Sequence, residues 1–392
     1  MTRTPFGLIL LLWGAGLGAA AQYGKISVVF DLLPAAYPQA GAAIGWVVSL
    51  VGFMGILFGV VAGLVVARIR YRRALLAALW AGAAVSCFQA LLPPLPWMLL
   101  SRVLEGASHL AIVVAAPTLI AQLSAGKDRG LTLTLWGTFF GVAFALLALL
   151  GRPLATGWGL PALFLAHALF MGGIALVLGH RLRALPDEGV QDDLSPGRIL
   201  RDHLVIYRSP HIAAPAAGWL FYTFSFVSIL TVLPPYLDPA VRAMVMTAMP
   251  LMSIAVSMTL GVILLRQLAA VQVVMLGFGL SFLCVLWLWL VPGSPAGCLA
   301  LAGAMGLIQG ASFAAVPQLN ETPSAQARSN GAMAQMGNIG NTLGTPVMAF
   351  ALAQSGYAAL PLLAGAAFAG GLGLHLLLAR LRRAGPVTSP RS

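Results

Sequence analysis

The chain has 392 residues, of which 60% are hydrophobic and only 8% charged, and its mean hydropathy is +0.93. A soluble domain carries roughly a quarter charged residues, so a water-soluble globular protein is excluded at the outset. The net charge of +12 would suggest nucleic acid in a soluble chain, but here position overrules that reading. Bases gather in short connections (Arg68 to Arg73, Lys127 and Arg129, Arg181 and Arg183, Arg380 to Arg383) on alternate sides of successive apolar runs, as the positive-inside rule expects. The partner implied is a lipid bilayer, with both termini in the cytoplasm and the bacterial-type inner membrane as the location.

About 20 apolar residues cross a bilayer. Taken in chain order, the sequence predicts twelve spans: 6–30, 41–67, 74–92, 96–122, 131–151, 159–180, 211–236, 241–265, 268–291, 296–319, 329–354 and 357–380. The first imitates a cleavable secretory signal, with Arg3, an apolar run and Ala19-Ala20-Ala21. The run continues apolar through Phe30, and its removal would leave an odd number of spans, so it is expected to be an uncleaved helix. Between spans six and seven lies the only long polar stretch, Arg181 to Arg208. Ser195-Pro196 there reads as a helix cap followed by a first-turn proline. Ile199, Leu200, Leu204 and Tyr207 then recur at helical spacing, as in a helix lying on the membrane surface. Cys87, Cys284 and Cys298 sit within apolar runs, with no paired spacing for metal or redox work, and are expected to be packing residues.

The two halves look duplicated. Gly63-x-x-x-x-Arg68 after span two reappears as Gly261-x-x-x-x-Arg266 after span eight. Glu105-Gly106-Ala107-Ser108 in span four is answered by Gln309-Gly310-Ala311-Ser312 in span ten, and Gly137-x-x-x-Gly141 by Gly340-x-x-x-Gly344. Three matches in the same order argue for an internal repeat. The domains expected are a six-helix bundle over 1–180, a cytoplasmic linker over 181–208 and a second bundle with a short tail over 209–392.

On these motifs the chain resembles the major facilitator superfamily over essentially its whole length. The family's loop motif between helices two and three stands here as Gly63-Leu-Val-Val-Ala67-Arg68-Ile-Arg70-Tyr71-Arg72, with Ala67 in place of the usual acid. The family's helix-four motif stands as Arg102-Val-Leu-Glu105-Gly106. The Gly-Pro motif that drug–proton antiporters carry in helix five is missing there, and a Gly-x-x-x-Gly-Thr-Pro version, Gly340 to Pro346, occurs in helix eleven. The resemblance implies an all-α fold of two pseudo-symmetric six-helix bundles, with helices one, four, seven and ten lining a central cavity. It also implies that Gly63, Arg68, Arg72, Gly261 and Arg266 form a cytoplasmic gate. With Ala67 replacing the acid, Arg68 is expected to find Asp128, Glu321 or the carbonyl end of a helix instead.

Ionisable residues within hydrocarbon cost at least about 2.5–3.5 kcal/mol, so each one present is a candidate site. Arg102, Glu105 and His109 lie at i, i+3 and i+7 on one face of span four. Arg102 either pairs with Glu105 as a self-neutralising couple or binds an anionic group, with Glu105 or His109 carrying a proton. Span one offers Gln22 and Lys25 one turn apart, and Lys25 either lines the cavity or snorkels outward toward Asp31. Two cations and one acid near a cavity favour a negatively charged solute. Trp219, Tyr222 and Phe226 make an aromatic stripe on span seven, Gln309 and Phe313 add to span ten, and Gln335, Asn338 and Asn341 stand among the glycines of span eleven. These side chains read either as helix packing or as solute contacts. His167 in span six reads as a packed, hydrogen-bonded histidine.

No Walker loop, Gly-x-Ser-x-Gly, His-Glu-x-x-His or Rossmann fingerprint is present. No cofactor or metal is expected, and energy must come from gradients. The function expected is secondary transport of a small organic anion with protons, by a monomer that alternates access between two bundles. The alternatives are a proton-driven exporter of amphiphilic compounds and, more remotely, a membrane-embedded enzyme or transporter-like sensor.

Overall fold

The computed structural model describes residues 3–59, 61–125, 128–183 and 204–384. Backbone polar groups within hydrocarbon have no water to bond, so each apolar run closes its hydrogen bonds internally as a helix. The crossing helices are α1 Phe6–Ser27, α2 Gly41–Phe58, α3 Tyr71–Gln89, α4 Leu95–Leu123, α5 Phe139–Trp158 and α6 Leu160–Arg181 in the first half. The second half has α7 Ala213–Val232, α8 Pro239–Leu265, α9 Ala270–Leu290, α10 Pro295–Leu319, α11 Pro323–Ser355 and α12 Ala359–Ala384. Ten helical stretches among the described residues are long and apolar enough to cross a membrane. One of these, Arg328–Ala384, is two helices that meet at Gly356, whose φ of +62° turns the chain. The Ala-rich α3 completes twelve. The chain is therefore an all-α polytopic membrane protein of two pseudo-symmetric bundles.

Short caps set the turns. The Asp238 carboxylate accepts from the Ala240 amide (2.8 Å) and Pro239 begins α8; Ser294 accepts from Gly297 (3.2 Å) and Pro295 begins α10. The span expected at 41–67 is not one continuous helix. It is interrupted by a 3₁₀ turn at Leu50–Gly52, and a second segment, Ala62–Ile69, completes it. Both α5 and α8 carry a π-helical turn, Leu147–Gly151 and Ser257–Gly261. Such turns gather where function needs an irregular backbone.

The two ends of the molecule pack differently. At the end that holds Asp31, the core runs through both halves: Val29 and Val47 belong to the same cluster as Leu230, Leu233 and Met348. There the Ser27 and Thr231 hydroxyls meet across the halves at 2.6 Å. At the base-rich end, Ile9, Leu12, Leu75, Ile112 and Ile120 form a core from the first half alone. Phe313 of α10 is 51% exposed there, and Val113, Val114, Pro117 and Thr118 of α4 are half-buried. The halves thus touch at the Asp31 end and part toward the base-rich end.

Most of the surface helix expected around Ser195 lies outside the described residues. Its last turn, 204–208, is helical. The side chain turned inward is Ile206, which packs with Ile212, Ala216 and Met333, whereas Leu204 and Tyr207 of the expected apolar face are 48% and 38% exposed.

Candidate functional site

The face of α4 that the i, i+3, i+7 spacing marked out points into the first bundle, and Arg102 and Glu105 on it are fully buried. Small residues let the neighbouring helices close in: a side chain at Gly106 would run into the Val51 carbonyl of α2. Glu105 Oε2 accepts from Arg102 and from Gln89 Nε2 (2.9 Å), while Oε1 accepts from the Lys25 ammonium at 2.6 Å. Two cations therefore share one carboxylate in a site without solvent access.

Arg102 spends its remaining donors on backbone. Nε donates to the Val47 carbonyl at 2.6 Å, and the second terminal nitrogen donates to the Gln22 carbonyl. Val47 lies just before the 3₁₀ turn of α2, so the guanidinium serves carbonyls at the point where that helix departs from regular geometry. Gln22 itself donates to the Ser108 hydroxyl (2.9 Å), which donates on to the Ala78 carbonyl (2.7 Å).

Lys25 does not snorkel toward Asp31. Its ammonium turns inward onto Glu105, onto the Ser86 hydroxyl (2.6 Å) and to within 3.3 Å of His167 Nδ1, with the Phe164 ring 5.5 Å away. Asp31 is taken instead by Arg152, whose two terminal nitrogens donate to its two oxygens at 2.7 and 2.8 Å. His167 is hydrogen-bonded, as expected of a packed histidine, but its partners are Ser86, Lys25 and the Gly18 carbonyl, which makes it a member of the charged cluster. Ser86, Gln89 and His167 escaped the sequence reading of the site. Only His167 carried a signal there, as an ionisable residue inside a span. His109 Nδ1 lies 2.9 Å from the Ala19 carbonyl, and its ring meets Tyr23 edge-on at 5.2 Å.

The second half supplies rings and amides. Trp219 stacks on Tyr222 (4.6 Å), Tyr222 on Phe226 (5.5 Å), and Phe313 meets Trp219 edge-on at 5.0 Å. Phe226 then reaches Phe140 of α5 at 6.4 Å, and Phe140 reaches Tyr23 at 6.0 Å. A continuous line of rings thus runs from α10 through α7 and α5 to α1. Gln309 accepts from Ser253 of α8 (3.4 Å). Asn338 donates to the Ala334 carbonyl of its own helix (2.8 Å) and faces Gly55 of α2, and Asn341 is half-buried one turn further on. Gln335 bonds across the halves: its Nε2 donates to the Ile56 carbonyl (3.0 Å) and its Oε1 accepts from Tyr207 (2.6 Å).

The expected gate residues lie apart from this cluster. Gly63 and Arg68 fall in Ala62–Ile69, Gly261 is buried in the π turn of α8, and Arg68 and Arg266 are both exposed. Arg72 donates to the Arg183 carbonyl (3.2 Å). Among the described residues, neither Asp128 nor Glu321 pairs with Arg68. Asp128 accepts from Thr4 (2.7 Å), and among the described residues Arg68 makes no ion pair.

A family model described as Major Facilitator Superfamily matches residues 8–320. No curated protein matches the chain.

Proposed function

The chain belongs to the Major Facilitator Superfamily and is a secondary transporter of that superfamily, and on this premise we propose that its solute is a small organic anion carried with protons by alternating access. The observation that carries the reading is the sharing of Glu105 by Arg102 and Lys25 at zero exposure. A buried cation is costly without a counter-charge, and one carboxylate balances only one of the two. The surplus positive charge sets the potential in the middle of the molecule and favours an anion at the adjoining wall. Both Glu105 oxygens are occupied by donors, which leaves the proton as the coupling ion that the cluster can exchange without being taken apart. We place the base-rich end in the cytoplasm by the positive-inside rule, with both termini there. The halves 1–180 and 209–392, joined by the linker 181–208, rock against each other as a monomer in an inner-type membrane.

The line of rings from Phe313 to Tyr23 favours a second reading, export of amphiphilic compounds with an apolar body. A thermal-shift panel on the purified protein separates the two, because a ligand raises stability by mass action. Small organic acids are expected to raise Tm, and Lys25→Met is expected to remove that response. A panel in which only cationic amphiphiles stabilise the protein would overturn the anion reading.

A further inference from the structure

The shortest hydrogen bonds around Lys25 run in one direction, with the direct Lys25–His167 Nδ1 approach longer at 3.3 Å. The Gly18 carbonyl can only accept, so His167 Nε2, 3.0 Å away, carries the ring hydrogen. In the neutral ring Nδ1 is then the acceptor, and the Ser86 hydroxyl lies 2.7 Å from it. That hydroxyl has a single hydrogen. At 3.5 Å, Glu105 Oε1 is too distant to compete for it, so the hydrogen goes to His167 and the hydroxyl oxygen accepts from the Lys25 ammonium at 2.6 Å. The result is a directed chain, Lys25 Nζ–H to Ser86 Oγ–H to His167 Nδ1.

The other charged groups of the cluster are not free to exchange a proton. Arg102 keeps its proton at any working pH. Glu105 meets only donors, namely Arg102, Lys25 and the Gln89 amide nitrogen, so a hydrogen added to either of its oxygens would point at another donor. Of the remaining titratable groups, His167 on α6 faces Lys25, whereas Tyr23 on α1 and His109 on α4 meet each other edge-on. Helix α3 offers only the neutral Ser86 and Gln89, α2 offers backbone carbonyls, and α5 and α7 meet α1 through Phe144, Leu147 and Thr231. His109 donates from Nδ1 to the Ala19 carbonyl and makes no bond to Lys25.

We infer that Lys25, not Glu105, carries the exchangeable proton and that Ser86 passes it to His167. In the step, the Lys25 N–H bond breaks as the proton joins Ser86 Oγ. The hydroxyl's own O–H bond breaks as its proton joins His167 Nδ1. The products are a neutral amine and an imidazolium, with the hydroxyl restored and no proton gained or lost. An anion beside the cluster would hold Lys25 in its charged form; without one, the surplus charge can pass from Lys25 to His167. The inference rests on the proton-coupled reading of transport given above.

The test uses the full-length protein in lipid nanodiscs, stepped over roughly pH 5 to 9. Infrared difference spectra report protonated carboxyl groups, and ¹⁵N spectra of labelled histidine report His167, assigned by comparison with His167→Asn. The expected result is a pH-dependent His167 signal that is lost in Lys25→Met and in Ser86→Ala, with no Glu105 carboxyl band. Lys25→Met leaves the neutral Arg102–Glu105 pair intact, so it is expected to fold. A His167 signal that titrates identically in both variants would overturn the inference. A carboxyl band that disappears in Glu105→Gln would also remove Lys25 as carrier while leaving proton coupling in place. If neither group responds over the whole range, the inference and the proton-coupled reading fall together.

Discussion

Glu105 holds two cations through its two oxygens, so its loss should cost far more than the loss of either partner. Glu105→Gln keeps the shape but strands Arg102 and Lys25 at zero exposure, and breaking a buried pair in this way costs about 3–5 kcal/mol. A large fall in the unfolding temperature is expected for Glu105→Gln and a small one for Lys25→Met, which leaves a balanced pair; equal falls would contradict the shared-carboxylate account. At the Asp31 end, stability depends on pH through one ion pair. Burial raises the Asp31 carboxyl, but the Arg152 hydrogen bonds and charge outweigh it and hold it below the ordinary carboxylate value. A group lowered on folding stabilises fully above its unfolded value and loses that stabilisation as pH falls through the folded one. Asp31→Asn should therefore flatten the acid limb of stability against pH, measured as Tm at a series of pH values. Of this chemistry, the face Arg102–Glu105–His109 was legible because residues three and seven apart on a helix share a side. The Lys25–Glu105 contact was not, since it joins residues 80 apart and depends on how α1 rotates against α4. Ser86 and Gln89 carried no signal at all, because one hydroxyl and one amide in an apolar span are ordinary packing residues until their neighbours are known.

At the scale of elements, the break in α2 is the feature that the sequence concealed. No proline marks Leu50–Gly52, and the run 41–67 is apolar throughout, so periodicity alone predicts one helix. The interruption is supported from outside the helix, by Arg102 donating to Val47 and by close contact with α11. A Cβ on Gly52 would fall onto Thr342 and within 2.8 Å of the Asn338 carbonyl, a backbone atom that cannot swing away. Gly52→Val should therefore wedge α2 from α11 and open the Asp31 end, which would be read as faster labelling of a single cysteine at Ser49 from that side. Unchanged labelling would mean that α2 and α11 do not seal this end. Arg102→Lys tests the other support. An ammonium cannot reach Glu105, Val47 and Gln22 together as the planar guanidinium does, so transport should fall even though the charge is kept.

Across the whole molecule, the repeat seen in the sequence is a repeat of backbone and not of chemistry. Aligning Glu105-Gly106-Ala107-Ser108 with Gln309-Gly310-Ala311-Ser312 sets Arg102 opposite Gly306 and His109 opposite Phe313, so α10 keeps the helix of α4 but none of the three ionisable groups on that face. The first half then holds the charged cluster and the second presents rings and amides, and under the alternating access proposed above the state of one must reach the other across their common surface. Ser27 on α1 and Thr231 on α7 mark that surface at the closed end, with their hydroxyls 2.6 Å apart. Cysteines at both positions, with Cys87, Cys284 and Cys298 replaced, sit close enough for a disulfide after a small side-chain adjustment. Oxidation should pin the closed end while leaving the other end free to move, so the cross-linked protein should still bind solute from the base-rich side but complete no transport cycle. Reduction should restore the cycle. If the oxidised pair forms quantitatively and transport continues at the reduced rate, α1 and α7 do not part during turnover. Access would then have to alternate by bending within a bundle, with the π turns of α5 and α8 as the places where such bending begins.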